Sequence, residues 1–452
     1  MPSFTPGPTY EEMLHPSKLP ADVRQRALAA WGRDELDPIN LYNITWRDAR
    51  DQVRHVVLPT ALTGVEANII VLLGRDFPSG SHKVGPAYAT LLEGELAGEI
   101  DPTQSTIIGP STGNFGIGVA YIAKLMGYPA VVIMPEEMSA ERYQRIRQYG
   151  GQLDLTPGSE SDVILVLERT EHYKKNPQNK ILGQFELLPN YRFHRYVTGA
   201  SALEVAAGYG NGRIAAFVAA PGSAGTLAAG DEIKARFADA VICAPEPREC
   251  STLYNNGRGT HRIEGIGDKM VTLIHNVLTT DYVTLIHDED CLRGLKVLQE
   301  GPRLLGESAR PPAGTVTTLE GQCGISTVCN IIGSIKTAKH LGLGRDDNIV
   351  TIATDGFDRY PSVMVELERR EGRLSDDKLL AWYEQVFRGA GTEEILDVRP
   401  ASEKERLFRQ KEEVWTKFNY SRDYLERMKS PSFWEEEYAQ IPRIDEACRR
   451  RR

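Results

Sequence analysis

The sequence predicts an α/β fold of two lobes, each a mostly parallel sheet covered by helices. Three observations carry that expectation. At 452 residues the chain exceeds what one hydrophobic core usually supports. Between residues 56 and 360, short β-branched or apolar runs alternate with amphipathic helical stretches, the pattern of parallel strands joined by helical crossovers. Small-residue turns follow several of those runs, and open α/β sheets carry their ligand sites beyond the carboxyl ends of the strands.

Taken in order, residues 1–55 are rich in Pro, Trp and charge, with a helical pattern near Ala21–Trp31, and are expected to form an arm packed on the body. The core then reads as strand over Asn68–Leu73, helix over Gly85–Leu96, strand over Ser105–Ile108, helix over Gly116–Met126, strand over Ala130–Met134 and helix over Ala140–Tyr149. It continues with helices at Asp162–Tyr173 and Ala200–Ala207, a strand at Ile214–Ala219, a helix at Thr226–Phe237 and a strand at Ala240–Ala244. Helices at Asp288–Leu304 and Ile325–Leu341 and a last strand at Asn348–Thr354 complete it. The expected units are an arm over 1–55, a two-lobed core over 56–360 with the smaller lobe near 105–200, and a C-terminal helical extension over 361–452. Long charged helical stretches such as Ser402–Phe418 and Ser421–Met428 mark the extension, which is expected to cover the site, build a dimer face or stand solvated.

With 41% hydrophobic and 25% charged residues, the composition is that of a soluble globular protein. Lys+Arg of 53 against Asp+Glu of 62 gives a net charge of -9, which argues against a nucleic-acid surface. The run Arg449-Arg450-Arg451-Arg452 is expected to be a frayed, solvated end. No apolar run approaches the ~20 residues of a membrane helix, and the first residues lack a charged-then-apolar leader, so no membrane contact and a cytoplasmic location are expected. Six cysteines without a Cys-x-x-Cys pair read as reduced, mostly buried thiols, with no metal site.

The chemistry is expected in four turns. Ser79-Gly80-Ser81-His82-Lys83-Val84-Gly85 carries one lysine among small residues that allow close backbone approach. A desolvated lysine amine beside an aldehyde forms a Schiff base. Ser111, Thr112, Gly113 and Asn114 lie between a strand and a helix, where hydroxyls and N–H groups hold a carboxylate and Asn114 can donate to a phenolic oxygen. Gly222-Ser223-Ala224-Gly225-Thr226 follows the strand at Ile214. It lacks both the Gly-Lys-Ser/Thr ending of a nucleotide loop and the Gly-x-Gly-x-x-Gly of a dinucleotide site, so it is matched to a monophosphate. Thr354 and Asp355 end the last strand, where a hydroxyl or carboxylate can meet a heterocyclic nitrogen. Lysine, phosphate cradle, asparagine loop and ring-nitrogen partner together describe one pyridoxal 5'-phosphate site.

The segment Met134-Pro135-Glu136-Glu137-Met138-Ser139-Ala140-Glu141-Arg142 resembles the Met-Pro-Glu-x-Met-Ser-x-Glu-Arg signature of fold-type II pyridoxal-phosphate enzymes, in the cysteine synthase and cystathionine β-synthase branch. Ser111–Asn114, Asn190 with His194 and Thr198-Gly199, Gly222–Thr226, Glu264-Gly265-Ile266-Gly267 and Gly324-Ile325-Ser326-Thr327 follow in the same order. The chain departs from that branch at Lys83, which is followed by Val84-Gly85 instead of Asp-Arg. His82 before it is similar to the tryptophan synthase β subunit, where a histidine helps bind phosphate. Extra sequence at Gly306–Thr318 and after Asp358 marks a divergent subgroup.

The resemblance implies that Lys83 forms the internal Schiff base and then removes the substrate's Cα proton. It further implies that Ser111, Thr112, Gly113, Asn114 and Gly265 bind substrate, while His82, Asn114, Gly222–Thr226 and Thr354 or Asp355 hold the cofactor. Loss of the Cβ substituent then leads through an aminoacrylate to β-replacement on a serine, O-acetylserine or cysteine type of amino acid, in a homodimer. The alternative is a β-elimination lyase that releases a keto acid. A non-catalytic relative serving as a binding subunit predicts a lost lysine or broken phosphate loop, and both are intact.

Overall fold

The computed structural model describes residues 6–301, 319–372 and 374–452. The extra sequence expected at Gly306–Thr318, and the last residues of the helix expected to Leu304, lie outside them. Among the described residues, eleven strands form two sheets: β1 His55–Leu58, β2 Asn68–Leu73, β3 Thr106–Pro110, β4 Ala130–Pro135, β5 Gln152–Thr156, β6 Asn179–Ile181, β7 Ile214–Val218, β8 Val241–Pro247, β9 Tyr282–Ile286, β10 Asn348–Ala353 and β11 Ile395–Asp397. The larger sheet runs β1-β2-β10-β7-β8-β9-β11 and the smaller β5-β4-β3-β6. Only the two edge pairs of the larger sheet, β1 with β2 and β11 with β9, are antiparallel. Parallel strands buried on both faces demand near-continuous apolar runs, as in β10, whose six residues are all buried.

The topology brings the site together. β10, late in sequence, inserts between β2 and β7. The loops after β2, β7 and β10 therefore emerge side by side at the carboxyl ends of three adjacent strands, and they are the turns carrying Lys83, Gly222–Thr226 and Thr354-Asp355. β3 brings the Ser111–Asn114 loop from the smaller sheet.

Sequence patterning misses β1, β5, β6, β9 and β11; β1, β5, β6 and β11 are short, partly exposed runs on sheet edges, whereas β9 is a buried inner strand whose Tyr-Val-Thr-Leu-Ile run the reading passes over. β11 also shows that the segment after 361 is not solely helical, since it completes the larger sheet. The terminal basic run is not frayed. The helix Ile441–Arg451 continues to the last residues, where Arg449 pairs with Glu11, Arg451 donates to the Glu95 carbonyl at 2.6 Å and Arg452 Nη1 to Glu12 at 2.7 Å. An arginine run next to acidic arm residues finds partners that no local pattern shows. Among the described residues no helix is long and apolar enough to cross a membrane. All six cysteines are free and buried.

Candidate active site

After β2 the chain makes a tight reversal. Ser79 and Gly80 take φ of 66° and 79°, a left-handed pair, which glycine adopts without cost and which other residues enter only where surroundings hold them. Ser81 forms an antiparallel bridge with Asp355, and its Oγ donates to the Thr354 carbonyl at 2.9 Å, so the lysine turn is pinned to the end of β10. Lys83 caps the helix α1, Val84–Leu96. Its Nζ lies 3.2 Å from Ser223 Oγ and 3.4 Å from Gln184 Oε1. Desolvation pulls the lysine down to about 8, with Asp268 and Glu160 opposing. An amine so placed has a far larger free-base fraction near neutral pH than an ordinary lysine, although the ammonium still predominates.

The loop after β7 leads into helix α2, Ala228–Arg236. Ala224 adopts φ 64°, and a Cβ at Gly225 would meet Asn190 Oδ1 at 2.2 Å. Ser223 Oγ accepts from Asn190 Nδ2 at 3.0 Å. The backbone N–H groups of Gly222, Ser223, Ala224 and Thr226 have no acceptor among the described residues. Buried N–H groups are otherwise nearly always paired, so these donors are available to an acceptor from outside the protein. His82, wholly buried, has neither ring nitrogen hydrogen-bonded. It stacks on Trp46 at 5.5 Å and meets His194 edge-on at 5.0 Å, while burial holds both histidines well below their usual range.

Asn114 opens the helix after β3, and its Nδ2 donates to Asp355 Oδ2 at 2.5 Å. Asp355 is wholly buried and also accepts from the Tyr360 hydroxyl at 2.8 Å, while its Oδ1 and Asn114 Oδ1 have no partner. Burial raises the Asp355 carboxyl, and Arg142 and Arg359 work against that rise. Of the two candidates at the end of β10, the structure places the Asp355 carboxylate in this cluster. Thr354 is half-buried and contributes its carbonyl to Ser81 and to the His82 N–H.

The other expected substrate residues are placed differently from one another. Ser111 Oγ accepts from the N–H groups of Gly113 and Gly116 at 2.9 and 2.8 Å, so it caps its own helix. Thr112 Oγ1 donates to Glu160. Gly113 leaves room for Arg142, whose Nη1 a Cβ there would meet at 2.1 Å. Gly265 lies away from this loop: its carbonyl faces Gly222 in the loop after β7, with φ 100° and open space where a Cβ would be.

Sequence reasoning assigned no role to the residues that tie these loops together. Arg142, wholly buried, lies 3.5 Å from Glu160, 3.0 Å from Glu264 and 3.9 Å from Asp355, and donates to the Thr112 carbonyl and Tyr360 hydroxyl at 3.1 Å each. Asp268 is buried with both carboxylate oxygens unpartnered, and burial raises it to about 7 while Lys83 pulls the other way. Gln184 touches Lys83 itself. The signal for Arg142 was a charged residue inside an otherwise ordered motif; nothing local marks Gln184. A cleft of about 550 Å³ opens toward Glu160, Glu264 and Ser139 between the two sheets' loops.

A family profile described as pyridoxal-phosphate dependent enzyme matches residues 61–355. Cysteine synthase of Staphylococcus aureus strain N315 is 33% identical over 301 residues, covering 66% of this chain and 88% of the relative. A hydrogen sulfide-producing enzyme of Fusobacterium nucleatum shares the fold with TM-score 0.59 and 28% identity, over 73% of this chain and 91% of that one. O-ureido-L-serine synthase gives TM-score 0.59 and 25% identity over 72% and 95%.

Proposed function

The chain belongs to the family of pyridoxal-phosphate-dependent enzymes, and from that premise we propose that Lys83 anchors the cofactor and that the reaction is β-replacement on a small L-amino acid of the serine, O-acetylserine or cysteine type. The protein is an enzyme, its cofactor is pyridoxal 5'-phosphate, and its chemistry is replacement or elimination at Cβ. The carrying observation is the meeting of the Lys83 amine with Ser223, at the rim of a loop whose N–H groups are unspent.

When bound, the cofactor acts as an electron sink for the substrate's Cα–H bond. The rest falls to side chains. In the proposal Gly222–Thr226 donate N–H groups to the phosphate, with His82 beside them, and the dipole of α2 adds to the attraction. Asn114 would lie toward the phenolic oxygen. Asp355 would hold the ring nitrogen and favour its protonated form, which would make the cofactor a stronger electron sink than a threonine hydroxyl would support. Lys83, its ammonium weakened by burial, would take and return the Cα proton. The Ser111–Asn114 loop orients the substrate carboxylate through its backbone, because the Ser111 and Thr112 hydroxyls are already committed.

The relatives named as a cysteine synthase and an O-ureido-L-serine synthase support replacement; the hydrogen sulfide-producing relative supports β-elimination as the second reading. The proposal includes an arm over 1–55, a two-lobed core over 56–360 and an extension over 361–452, with the smaller sheet supporting a lobe within 105–200. It also includes a homodimer, expected from the family, and a cytoplasmic location, which the free cysteines support.

The test is incubation of cofactor-loaded protein with serine, O-acetylserine and cysteine, assaying pyruvate and sulfide with and without an added thiol. Replacement gives a thioether or new amino acid and little pyruvate when thiol is present. Equal pyruvate with and without thiol makes the enzyme a lyase.

A further inference from the structure

The family profile ends at residue 355, yet a helix far beyond it reaches back to the segment that abuts the cofactor loop. This helix, α3, spans Ala401–Trp415. Lys404, Lys411 and Trp415, spaced seven and four residues apart, share one face. Lys404 Nζ donates to the Val277 carbonyl at 2.6 Å and to that of Thr280. Lys411 Nζ donates to the carbonyls of Leu273 at 3.0 Å and His275 at 2.6 Å, and Trp415 Nε1 to that of Val271 at 2.9 Å. One helix face thus satisfies a row of carbonyls in a connecting segment, 271–280, that forms no strand or helix of its own.

That segment touches the cofactor loop. Thr272 Oγ1 donates to the Ser223 carbonyl at 2.9 Å, and the Ser223 side chain is the one that meets Lys83. Just upstream, the Gly267 N–H donates to the Pro221 carbonyl at 2.9 Å. A continuous set of hydrogen bonds therefore runs from α3 through 271–275 to Ser223. Lys411 is the costliest member to place: the residue is 1% exposed, its amine has no carboxylate partner among the described residues, and it lies over the Phe408 and Trp434 rings at 5.6 Å each. Burying a charge is unfavourable unless its hydrogen bonds are made. This lysine makes them to backbone, and so fixes the backbone.

We propose that the C-terminal extension is a clamp for the cofactor's phosphate loop, with Lys411 as its principal positioning residue, acting through Leu273, His275 and Thr272 on Ser223. The inference rests on the reading that Gly222–Thr226 holds the phosphate. Without Lys411 the carbonyls of 273 and 275 lose their donor, the 271–275 segment loosens, and the loop's N–H groups no longer hold one arrangement in advance of binding.

The experiment titrates the full-length apoprotein with pyridoxal 5'-phosphate by absorbance, for wild type, Lys411→Met, Trp415→Phe and Gly225→Asp. Hydrogen exchange of the apoproteins is followed in parallel. The expected result is weaker binding by about tenfold for Lys411→Met, a smaller loss for Trp415→Phe, and faster exchange at 219–227 as well as at 271–280 in both. Unchanged affinity for Lys411→Met, or faster exchange confined to 401–430, overturns the clamp. Trp415→Phe removes the N–H donor together with part of the indole ring while keeping an aromatic side chain, so its exchange pattern, faster at 219–227 or confined to 401–430, decides the matter if Lys411→Met does not fold. Unchanged affinity for Gly225→Asp overturns the phosphate-loop reading and the clamp with it; weakened Gly225→Asp beside unaltered Lys411→Met and Trp415→Phe overturns the clamp alone.

Discussion

The turn around Lys83 and the inner face of α3 bury polar groups to opposite ends. Around Lys83 the protein leaves them unspent: both ring nitrogens of His82, both oxygens of Asp268, one oxygen each of Asn114 and Asp355. On α3, the donors of Lys404, Lys411 and Trp415 are used on backbone carbonyls. Unmade hydrogen bonds in a dry environment cost free energy, so a cluster of them persists only where a ligand completes it. α3 also keeps Arg406 Nη1 and Gln410 Oε1 without a partner among the described residues, so the contrast lies in the clustering of unspent groups around one lysine.

The strongest test of that contrast is Lys83→Ala. If the unspent groups converge on a cofactor through this amine, the variant loses the absorbance band near the visible edge that the loaded protein shows. Turnover falls by at least ~10²–10⁴-fold, as expected when a proton-transferring group is removed. Retention of the band after dialysis places the anchor elsewhere.

Arg142→Met comes next and sharpens the comparison, because this residue belongs to the site but behaves as scaffold. It is the common partner of Glu160, Glu264 and Asp355, which come from loops of both sheets. Removing one member of a buried ionic cluster leaves uncompensated charge and costs about 3–5 kcal/mol. Denaturant unfolding of the apoprotein measures it. A loss below about 1 kcal/mol shows that the carboxylates are protonated and that the arginine is not their counterion.

Asp268, beside Lys83, and Lys411, on α3, respond to pH with opposite sign. Burial raises Asp268 from 3.8 to about 7, so the folded protein holds that proton more tightly than the unfolded chain. Its contribution to stability is complete below about 4 and is lost as pH climbs through 7. Lys411 is pulled from 10.5 down to about 7, so its penalty is present at low pH and is relieved as pH rises from about 7 toward 10.5. Asp268→Asn is expected to flatten the fall in apoprotein melting temperature between about pH 5 and pH 7. Lys411→Met is expected to flatten the rise above it. A wild-type slope retained by Asp268→Asn assigns the effect to another group, Glu160 being raised to about 8 by the same burial.

How much of this was legible in the sequence follows the same division. The helix Ile325–Leu341 and strand Asn68–Leu73 coincide with their patterns because each is a long run whose local preference agrees with its burial. The loops of the site were legible as small-residue turns after strands, and topology then placed three of them side by side by inserting β10 between β2 and β7. Gln184, Asp268 and Glu160 carry no local signal, since a polar residue in a loop reads as solvated until the fold buries it. The face of α3 was equally hidden. Lys404 and Lys411 look like surface charge on an exposed helix, and only the carbonyls of a distant segment turn them inward.

The smallest effect is expected where the extension meets the arm. Arg449 pairs with Glu11, but the two side chains are 47% and 32% exposed. At that exposure water and salt screen the attraction, and ordering two long side chains offsets much of it, so the pair contributes about 0–1 kcal/mol. Arg452 reaches Glu12 and the Gly7 carbonyl from a more enclosed position, with its side chain 21% and that of Glu12 8% exposed. Arg449→Ala is therefore expected to leave the melting temperature nearly unchanged and insensitive to added salt. Arg452→Ala is expected to lower it measurably, by more in low salt than in high. Equal effects of the two would mean that the arm is held by the apolar contacts beneath them, among them Tyr10 and Met13 with Ile441 and Cys448, and that the arginines only decorate its edge.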